Sequence, residues 1–198
     1  MINKKVAYLP TGHLEIYKVF EDIREDELIF EEQNTITSGL GVGLSLLFGG
    51  QGSQIITDYQ LRWFQLGVSG DVDNYGVSTN ALGSAIDVEA NYLTEGSRLI
   101  VHTHDQLVNG TTLNNKVFAE IPFYAIHKTS KTSVRFMIRV DKNSCNTTPS
   151  MDLNEIGLFM ANPRGQDTLE SILVAYRPHT AITKTDDFAL LYIWEINF

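Results

Sequence analysis

Two neighbouring histidines are the first residues whose types and spacing could carry chemistry. His102 and His104 are separated by one residue, and Asp105 follows directly. Side chains two positions apart on a β-strand project from the same face, so both imidazoles could bind one metal ion with a carboxylate completing the ligand set. Polar strand faces also carry histidines that bind nothing, and no third firm ligand can be identified. Both interpretations stay open.

A second candidate metal site lies in the segment Gly70–Gly76, GDVDNYG. Asp71 and Asp73 place hard oxygen donors at alternating positions of a tight turn, as at the start of a calcium-binding loop. Position 82 is Leu, however, so the bidentate Glu that closes such a loop is missing. A turn held by Asx hydrogen bonds explains the same residues without an ion.

The remaining motifs do not assemble an active site. The chain contains no G-x-S-x-G, no H-E-x-x-H and no glycine-rich phosphate-binding pattern. Asp186 and Asp187 are consecutive, so their side chains would diverge on a strand or turn. Cys145 is the single cysteine, which excludes an internal disulfide, and no basic residue closer than Lys142 is present to stabilise its thiolate. We therefore expect a protein that is not an enzyme and uses no cofactor.

The composition is that of a folded, acidic protein. Of 198 residues, 43% are hydrophobic and 20% charged, which suits a single globular domain and argues against disorder. No apolar run is long enough for a transmembrane helix and the first residues lack a signal-peptide core, so we expect synthesis in the cytoplasm and no membrane partner. The formal net charge of −9 disfavours binding to nucleic-acid phosphates.

The acidic residues are concentrated in one segment, Glu21–Glu32, where carboxylates surround a single Arg. The flanking residues 14–20 and 28–33 alternate like two strands, so the segment is predicted to lie at the turn of an N-terminal hairpin covering about residues 14–33. The turn is either a solvated surface or an acidic surface offered to a basic partner. In the second case Glu25, Asp26 and Glu27 are the candidate contact residues.

One helix is predicted near residues 37–48. Leu40, Leu44 and Leu47 recur at helical spacing, Thr37 or Ser38 can cap the N-terminus, and two glycines stop the helix after residue 48. Three further glycines lower the helix propensity, so a short helix packed tightly on another element is expected.

The other elements are predicted to be β-strands. They cover residues 55–68, 118–126, 133–140, 155–160, 171–177 and 188–198, with a hairpin turn at HKTSKT and a surface loop over 69–82. The resulting prediction is a single domain, residues 1–198, that is mainly all-β. Its architecture would be an antiparallel β-sandwich of jelly-roll type with one short flanking α-helix.

The last predicted strand carries many apolar side chains that must be buried. Apolar and aromatic residues share one of its faces: Phe188, Leu190, Tyr192, Trp194, Ile196 and Phe198. The other face is also apolar in its first half. Such a strand is either a central strand covered by its own chain or part of a contact with another subunit. Tyr192, Trp194, Ile196 and Phe198 are the candidate interface residues of the second alternative.

Three segments resemble the small β-sandwich modules of tailed-bacteriophage virion proteins, especially tail-fibre, collar and baseplate-associated ones. Gln33–Phe48, QNTITSGLGVGLSLLF, is similar to the start of the short helix in these modules. Phe64–Leu82, FQLGVSGDVDNYGVSTNAL, is similar to their strand and glycine-rich loop. Leu153–Phe198, with NEIGLF, YRP, the Ile182–Lys184 element and the closing LLYIWEINF, resembles their C-terminal run.

This resemblance implies a non-enzymatic structural protein of a phage particle, present in the virion after synthesis in the host. It would be an assembly subunit of the tail, neck or collar, or baseplate, of the fibre-adaptor type. Its partners would be other virion proteins and further copies of itself in a symmetric homo-oligomer, with the hairpin at 14–33 available for docking. A capsid decoration protein and a carbohydrate- or receptor-binding β-sandwich are the alternatives.

Overall fold

A computed structural model describes residues 10–36, 39–49, 59–67, 111–113, 116–143, 146, 152–160 and 172–198. Within these ranges the protein is mostly β. The strands are β1 (Thr11–Val19), β2 (Glu27–Ile36), β3 (Leu61–Gly67), β4 (Thr111–Leu113), β5 (Lys116–Glu120), β6 (Ile126–Lys128), β7 (Ser133–Val140), β8 (Leu153–Met160), β9 (Ile172–Ile182) and β10 (Ala189–Asn197). The α-helix of these ranges is α1 (Gly39–Gly49).

The described strands form one sheet in the order β4-β5-β3-β8-β9-β2-β1-β10-β7-β6, and the neighbouring pairs are antiparallel. This confirms the mainly all-β antiparallel class with one short helix. The finer assignment to a jelly-roll sandwich is not confirmed, because the strands form a single curled sheet.

The core lies on the inner face of this curled sheet. In β1, β7 and β10 the buried residues alternate with less buried ones, as the period of two in the sequence predicts. Both halves of the sheet contribute fully buried side chains to one cluster, including Leu14, Ile16, Leu66, Leu153, Ile156, Leu158, Leu190, Tyr192, Trp194 and Ile196. Burying each large apolar side chain contributes about 1.5–3 kcal/mol, so this cluster is the main source of stability.

Strand β10 lies in the interior of the sheet between β1 and β7. Its register with β1 runs from Thr11↔Asn197 to Val19↔Ala189, and its register with β7 runs from Ser133↔Asn197 to Val140↔Leu190. Both of its edges are therefore hydrogen-bonded over nearly its whole length. The predicted strand over 188–198 is confirmed as a central strand.

Helix α1 covers the outer face of the sheet at β8 and β9. Leu40 packs there with Met160 and Val174 in a second, smaller cluster. A Cβ at Gly43 would overlap the end of the Met160 side chain, so the glycine allows the helix to approach this closely without displacing Met160. The predicted short, tightly packed helix is confirmed.

The segment predicted as one strand over 118–126 is interrupted. Strand β5 ends at Glu120, a single 3₁₀ turn follows at Phe123–Ala125, and β6 begins at Ile126. Pro122 lies at the break, where its missing N–H and fixed φ favour a turn over a continued ladder. Because β5 pairs with β3 and β6 pairs with β7, the chain crosses between opposite parts of the sheet here. The β6–β7 hairpin at HKTSKT is confirmed.

Candidate functional site

The residues first considered for metal binding, Asp71, Asp73, His102 and His104, lie outside the described residues. So does the loop predicted over residues 69–82, and so does Cys145. The calcium and histidine sites therefore stay predictions from the sequence.

The interface candidates on β10 lie mostly in the interior. Tyr192, Trp194 and Ile196 have no exposed surface, because the chain itself covers this face of the strand. Phe198, by contrast, is 49% exposed, and its N–H donates to the carbonyl of Thr132 at 2.8 Å. A subunit contact at this end of the sheet could therefore use Phe198, whereas the other three side chains serve the core.

The acidic candidates lie at the hairpin end, which we define as residues 20–27, from the end of β1 to the first residue of β2. Glu25 is exposed, and Asp26 accepts a hydrogen bond from the N–H of Phe20 at 3.4 Å. Glu27 forms an ion pair of 3.4 Å with Lys18 on the adjacent strand. The structure thus places all three acids at one exposed turn and gives Glu27 a cation from its own chain.

Further cations of the chain neutralise part of this acidity. Arg24 donates to both oxygens of Asp187 at 2.7 and 2.8 Å and also pairs with Asp22. The guanidinium of Arg24 lowers the pKa of Asp22 and of Asp187 and is itself held protonated by them, with a raised pKa. Arg24 consequently connects the turn to the segment that precedes β10.

Glu21 is a second anchor of the hairpin end. It pairs with Lys142 at 2.8 Å and with Arg139 at 3.0 Å, both contributed by β7 and the turn after it. The Lys142 ammonium and, to a lesser degree, Arg139 lower the pKa of the Glu21 carboxyl. The surface predicted to be acidic is therefore a mixed ion-pair surface.

An apolar side chain stands at the tip of this surface. Ile23 is fully exposed, with a relative accessibility of 102%. On either side of it, Asp22 and Arg24 pair with each other, and the Arg24 guanidinium lies 4.1 Å from the centre of the Phe20 ring. Ile23 is thus an exposed apolar side chain on a turn whose neighbouring residues form ion pairs.

Two adjacent aromatic residues form another exposed feature. Phe123 and Tyr124 are 75% and 82% exposed on the 3₁₀ turn between β5 and β6. The turn is closed by the N–H of Ala125, which donates to the carbonyl of Pro122 at 2.9 Å. Sequence reasoning assigned these residues to a strand and missed their exposure.

A buried polar cluster connects β2 and β9. His179 is fully buried between the rings of Phe30 and Tyr192, each with its centroid 5.9 Å away. Its Nδ1 lies 2.9 Å from the carbonyl oxygen of Thr180, which is the geometry of a donated hydrogen bond. Burial lowers the pKa of His179 to about 4, with Arg177 adding a smaller repulsive contribution. This imidazole is a neutral core residue at physiological pH.

Arg177 and Lys184 are buried cations that pair with groups of their own chain. Arg177 forms an ion pair with Glu32 on β2, and burial lowers its pKa to about 10. The fully buried Lys184 ammonium donates to the carbonyls of Lys142 and Thr185 at 3.0 and 2.7 Å. These contacts connect strands and loops within the chain.

The outer face of β1 and β2 holds a further group of polar side chains that sequence reasoning missed. The Nε2 of His13 lies 3.5 Å from the Oε1 of Glu15 and 3.5 Å from the Oε1 of Glu31. The hydroxyl of Tyr17 donates to the other Glu15 oxygen at 2.9 Å, which raises the pKa of Tyr17. The spacing of His13 and Glu15 in the sequence could have suggested that these two side chains share a face. Glu31 joins them only through the β1–β2 register.

No family model, curated protein or solved structure matches this chain. Among the described residues, no helix is both long enough and apolar enough to cross a membrane. The function is therefore proposed from the chain's own residues, their geometry and the resemblance seen in the sequence.

Proposed function

We propose that this chain is a non-enzymatic structural subunit of a tailed-phage particle, an assembly component of the tail, neck or collar, or baseplate. It would contact other virion proteins and further copies of itself in a symmetric oligomer. The observation that carries the assembly role is the hairpin end, where Arg24 ion pairs flank an exposed apolar residue, Ile23, at the tip of a turn. The phage setting is proposed from the sequence resemblance.

An exposed apolar side chain on a fixed turn is suited to docking. Isolated exposed apolar residues are common, but here Arg24 bonds both flanking Asp22 and distant Asp187, contacts that would reduce the ordering entropy lost on binding. The surrounding charges of both signs would supply a polar rim around a central apolar contact. This is the arrangement expected of a hairpin that inserts into a pocket on a neighbouring subunit.

The resemblance to virion modules supports the same proposal. Its first segment, Gln33–Phe48, contains the end of β2 and most of α1, and its third, Leu153–Phe198, contains β8, β9 and β10. In a ring, each subunit would present the hairpin end to a different surface of its neighbour, which is a heterologous contact. A capsid decoration protein would use the same surfaces at another position in the particle.

Mass spectrometry of purified tails and purified heads, from a phage whose genome encodes this chain, tests the proposal. We expect the chain in the tail fraction. Presence in heads alone would favour the decoration protein, and absence from both fractions would overturn the virion assignment.

Variants test the docking role of the hairpin. Ile23→Asp should abolish incorporation into particles while the purified protein stays folded, because a carboxylate cannot enter an apolar pocket without a partner. Phe48→Asp is the matched control, since Phe48 is 82% exposed at the far end of α1. Normal incorporation of Ile23→Asp would contradict the proposed docking surface.

The pair Phe123–Tyr124 favours a second candidate function, carbohydrate binding. Sugars stack on exposed aromatic rings, and two adjacent rings on a closed turn offer such a surface. A glycan array would show selective binding that is lost in Tyr124→Ala and kept in Phe198→Ala. An array without selective binding would exclude this candidate.

A further inference from the structure

We propose that His13, Glu15 and Glu31 form a binding site for one divalent transition-metal ion, for which Zn²⁺ is the best fit. The site lies on the outer face of the sheet, across β1 and β2. It goes beyond the proposed assembly role and does not depend on it.

The strand geometry brings the three side chains together. His13 and Glu15 are two residues apart on β1 and therefore share a face, and Glu15 is the direct register partner of Glu31 on β2. One donor atom from each residue, an imidazole nitrogen or a carboxylate oxygen, lies within 4.8 Å of the other two. Three protein ligands thus converge from two hydrogen-bonded strands of the same sheet.

The charges of the group favour a cation. Like charges directly opposite each other on antiparallel strands are destabilising, and Glu15 and Glu31 are such a pair. Among the described residues, no Lys or Arg forms an ion pair with either carboxylate. Arg135 lies nearby, but its guanidinium donates to Glu195 at 3.1 and 2.9 Å. A metal ion would relieve the repulsion.

The two separations from the His13 nitrogen agree with tetrahedral zinc. Zinc binds imidazole nitrogen and carboxylate oxygen at about 2.0–2.2 Å, so two tetrahedral ligand atoms are about 3.4 Å apart. Each observed separation from the His13 nitrogen is 3.5 Å. The third separation joins the two carboxylate oxygens, which lie within 4.8 Å of each other. Rotation of the Glu31 side chain, which is 55% exposed, can bring this distance to the tetrahedral value. A mixed nitrogen and oxygen ligand set disfavours Ca²⁺ and Mg²⁺, which take oxygen ligands.

Two neighbouring features complete the site. Tyr17 holds one oxygen of Glu15 and leaves the other directed at His13, as an outer-shell partner of a metal ligand does. Next to the site is a cleft of about 190 Å³, lined by His13, Glu15, Arg135, Ile193 and Glu195. The cleft provides space for water or another small ligand at the fourth coordination position.

Isothermal titration calorimetry of the full chain with ZnCl₂ tests the proposal. We expect binding whose affinity falls at least tenfold in His13→Ala and in Glu31→Gln, and by a smaller factor in Tyr17→Phe. The thermal midpoint of the wild-type protein should rise with added zinc and reach a plateau. CaCl₂ and MgCl₂ at the same concentrations should give no comparable heat.

Two controls separate this site from other carboxylates and histidines. Glu27→Gln changes an equally exposed glutamate of the same strand, 57% against 55%, and should bind zinc like the wild type. His102→Ala/His104→Ala should also keep the binding. The proposal is overturned if zinc does not bind, if His13→Ala binds normally, or if only the double histidine variant loses the ion. Circular dichroism of each variant checks that the fold is retained.

Discussion

The imidazole of His179 has no exposed surface and packs against two aromatic rings, so protonating it in the native protein would bury a charge near Arg177. Its Nδ1 is engaged with the carbonyl of Thr180. The side chain therefore behaves as a core residue, even though histidine elsewhere is a candidate ligand or base. Burial and hydrogen bonding, which the residue type alone does not reveal, decide between these roles.

This burial makes the stability dependent on pH. In the unfolded chain His179 takes up its proton near the ordinary pKa of 6.5, whereas the native protein does so only near 4. Between these values the unfolded state binds more protons, so the free energy of unfolding should fall by about 3 kcal/mol through this group as the pH drops from 6.5 to 4. Well above pH 6.5 His179 is neutral in both states and contributes no slope.

Urea unfolding followed by circular dichroism at pH 7, 5.5 and 4.5 measures this dependence. His179→Gln should flatten the profile over this range, because the titrating group is gone. His127→Gln replaces an exposed histidine on β6 and should keep the wild-type slope. Equal slopes in wild type and His179→Gln would show that other groups cause the loss.

At the scale of elements, the spacing of apolar residues in the sequence predicted most of the strands and the helix. The alternation of residues 133–140 matches β7, where Phe136, Ile138 and Val140 are buried and Arg135 and Arg139 are exposed. Residues 118–126 were predicted wrongly as one strand. Their apolar character continues through Pro122 and the exposed Phe123, so composition alone did not mark the turn.

The glycines of α1 give a prediction at this scale. Gly41 is exposed, with no atom within 4 Å of an added Cβ, so Gly41→Ala should stabilise the protein by roughly 0.5–1 kcal/mol through helix propensity. Gly43→Ala gains the same propensity but must displace the buried Met160 side chain, at a cost of about 1–3 kcal/mol. Chemical denaturation should rank Gly41→Ala above wild type and Gly43→Ala below Gly41→Ala. Equal stabilisation by both would show that α1 has room on its sheet-facing side.

At the scale of the whole molecule, the strand order could not be read from the sequence. The chain places β10 between β1 and β7, which are far from each other in sequence, and local periodicity contains no signal for such pairing. The same limit applies to the candidate metal site. His13 and Glu15 are neighbours in the sequence, but Glu31 joins them only through the β1–β2 register.

The central position of β10 predicts the effect of a truncation. Deleting Trp194–Phe198 removes two fully buried side chains and leaves the paired parts of β1 and β7 without their common neighbour. We expect an insoluble or unfolded product, as judged by circular dichroism and gel filtration. Removal of Phe198 alone is the control, because its half-exposed ring lies beyond β10, and should give a folded protein. A cooperative unfolding transition in the longer deletion would contradict this role of the strand.

The junction between β2 and β9 has a mechanical consequence. Two register pairs, Thr35↔Tyr176 and Ile36↔Ala175, join these strands, whereas β1 and β10 share nine. Beyond these pairs the connection is made by side chains, including the ion pair between Arg177 and Glu32. Force applied across the sheet should therefore separate β2 from β9 before it separates β1 from β10, leaving one part that contains β10 and another that contains β8. Amide hydrogen exchange should show the same weakness, with faster exchange of the backbone amides at residues 35–36 and 175–176 than of those along β10.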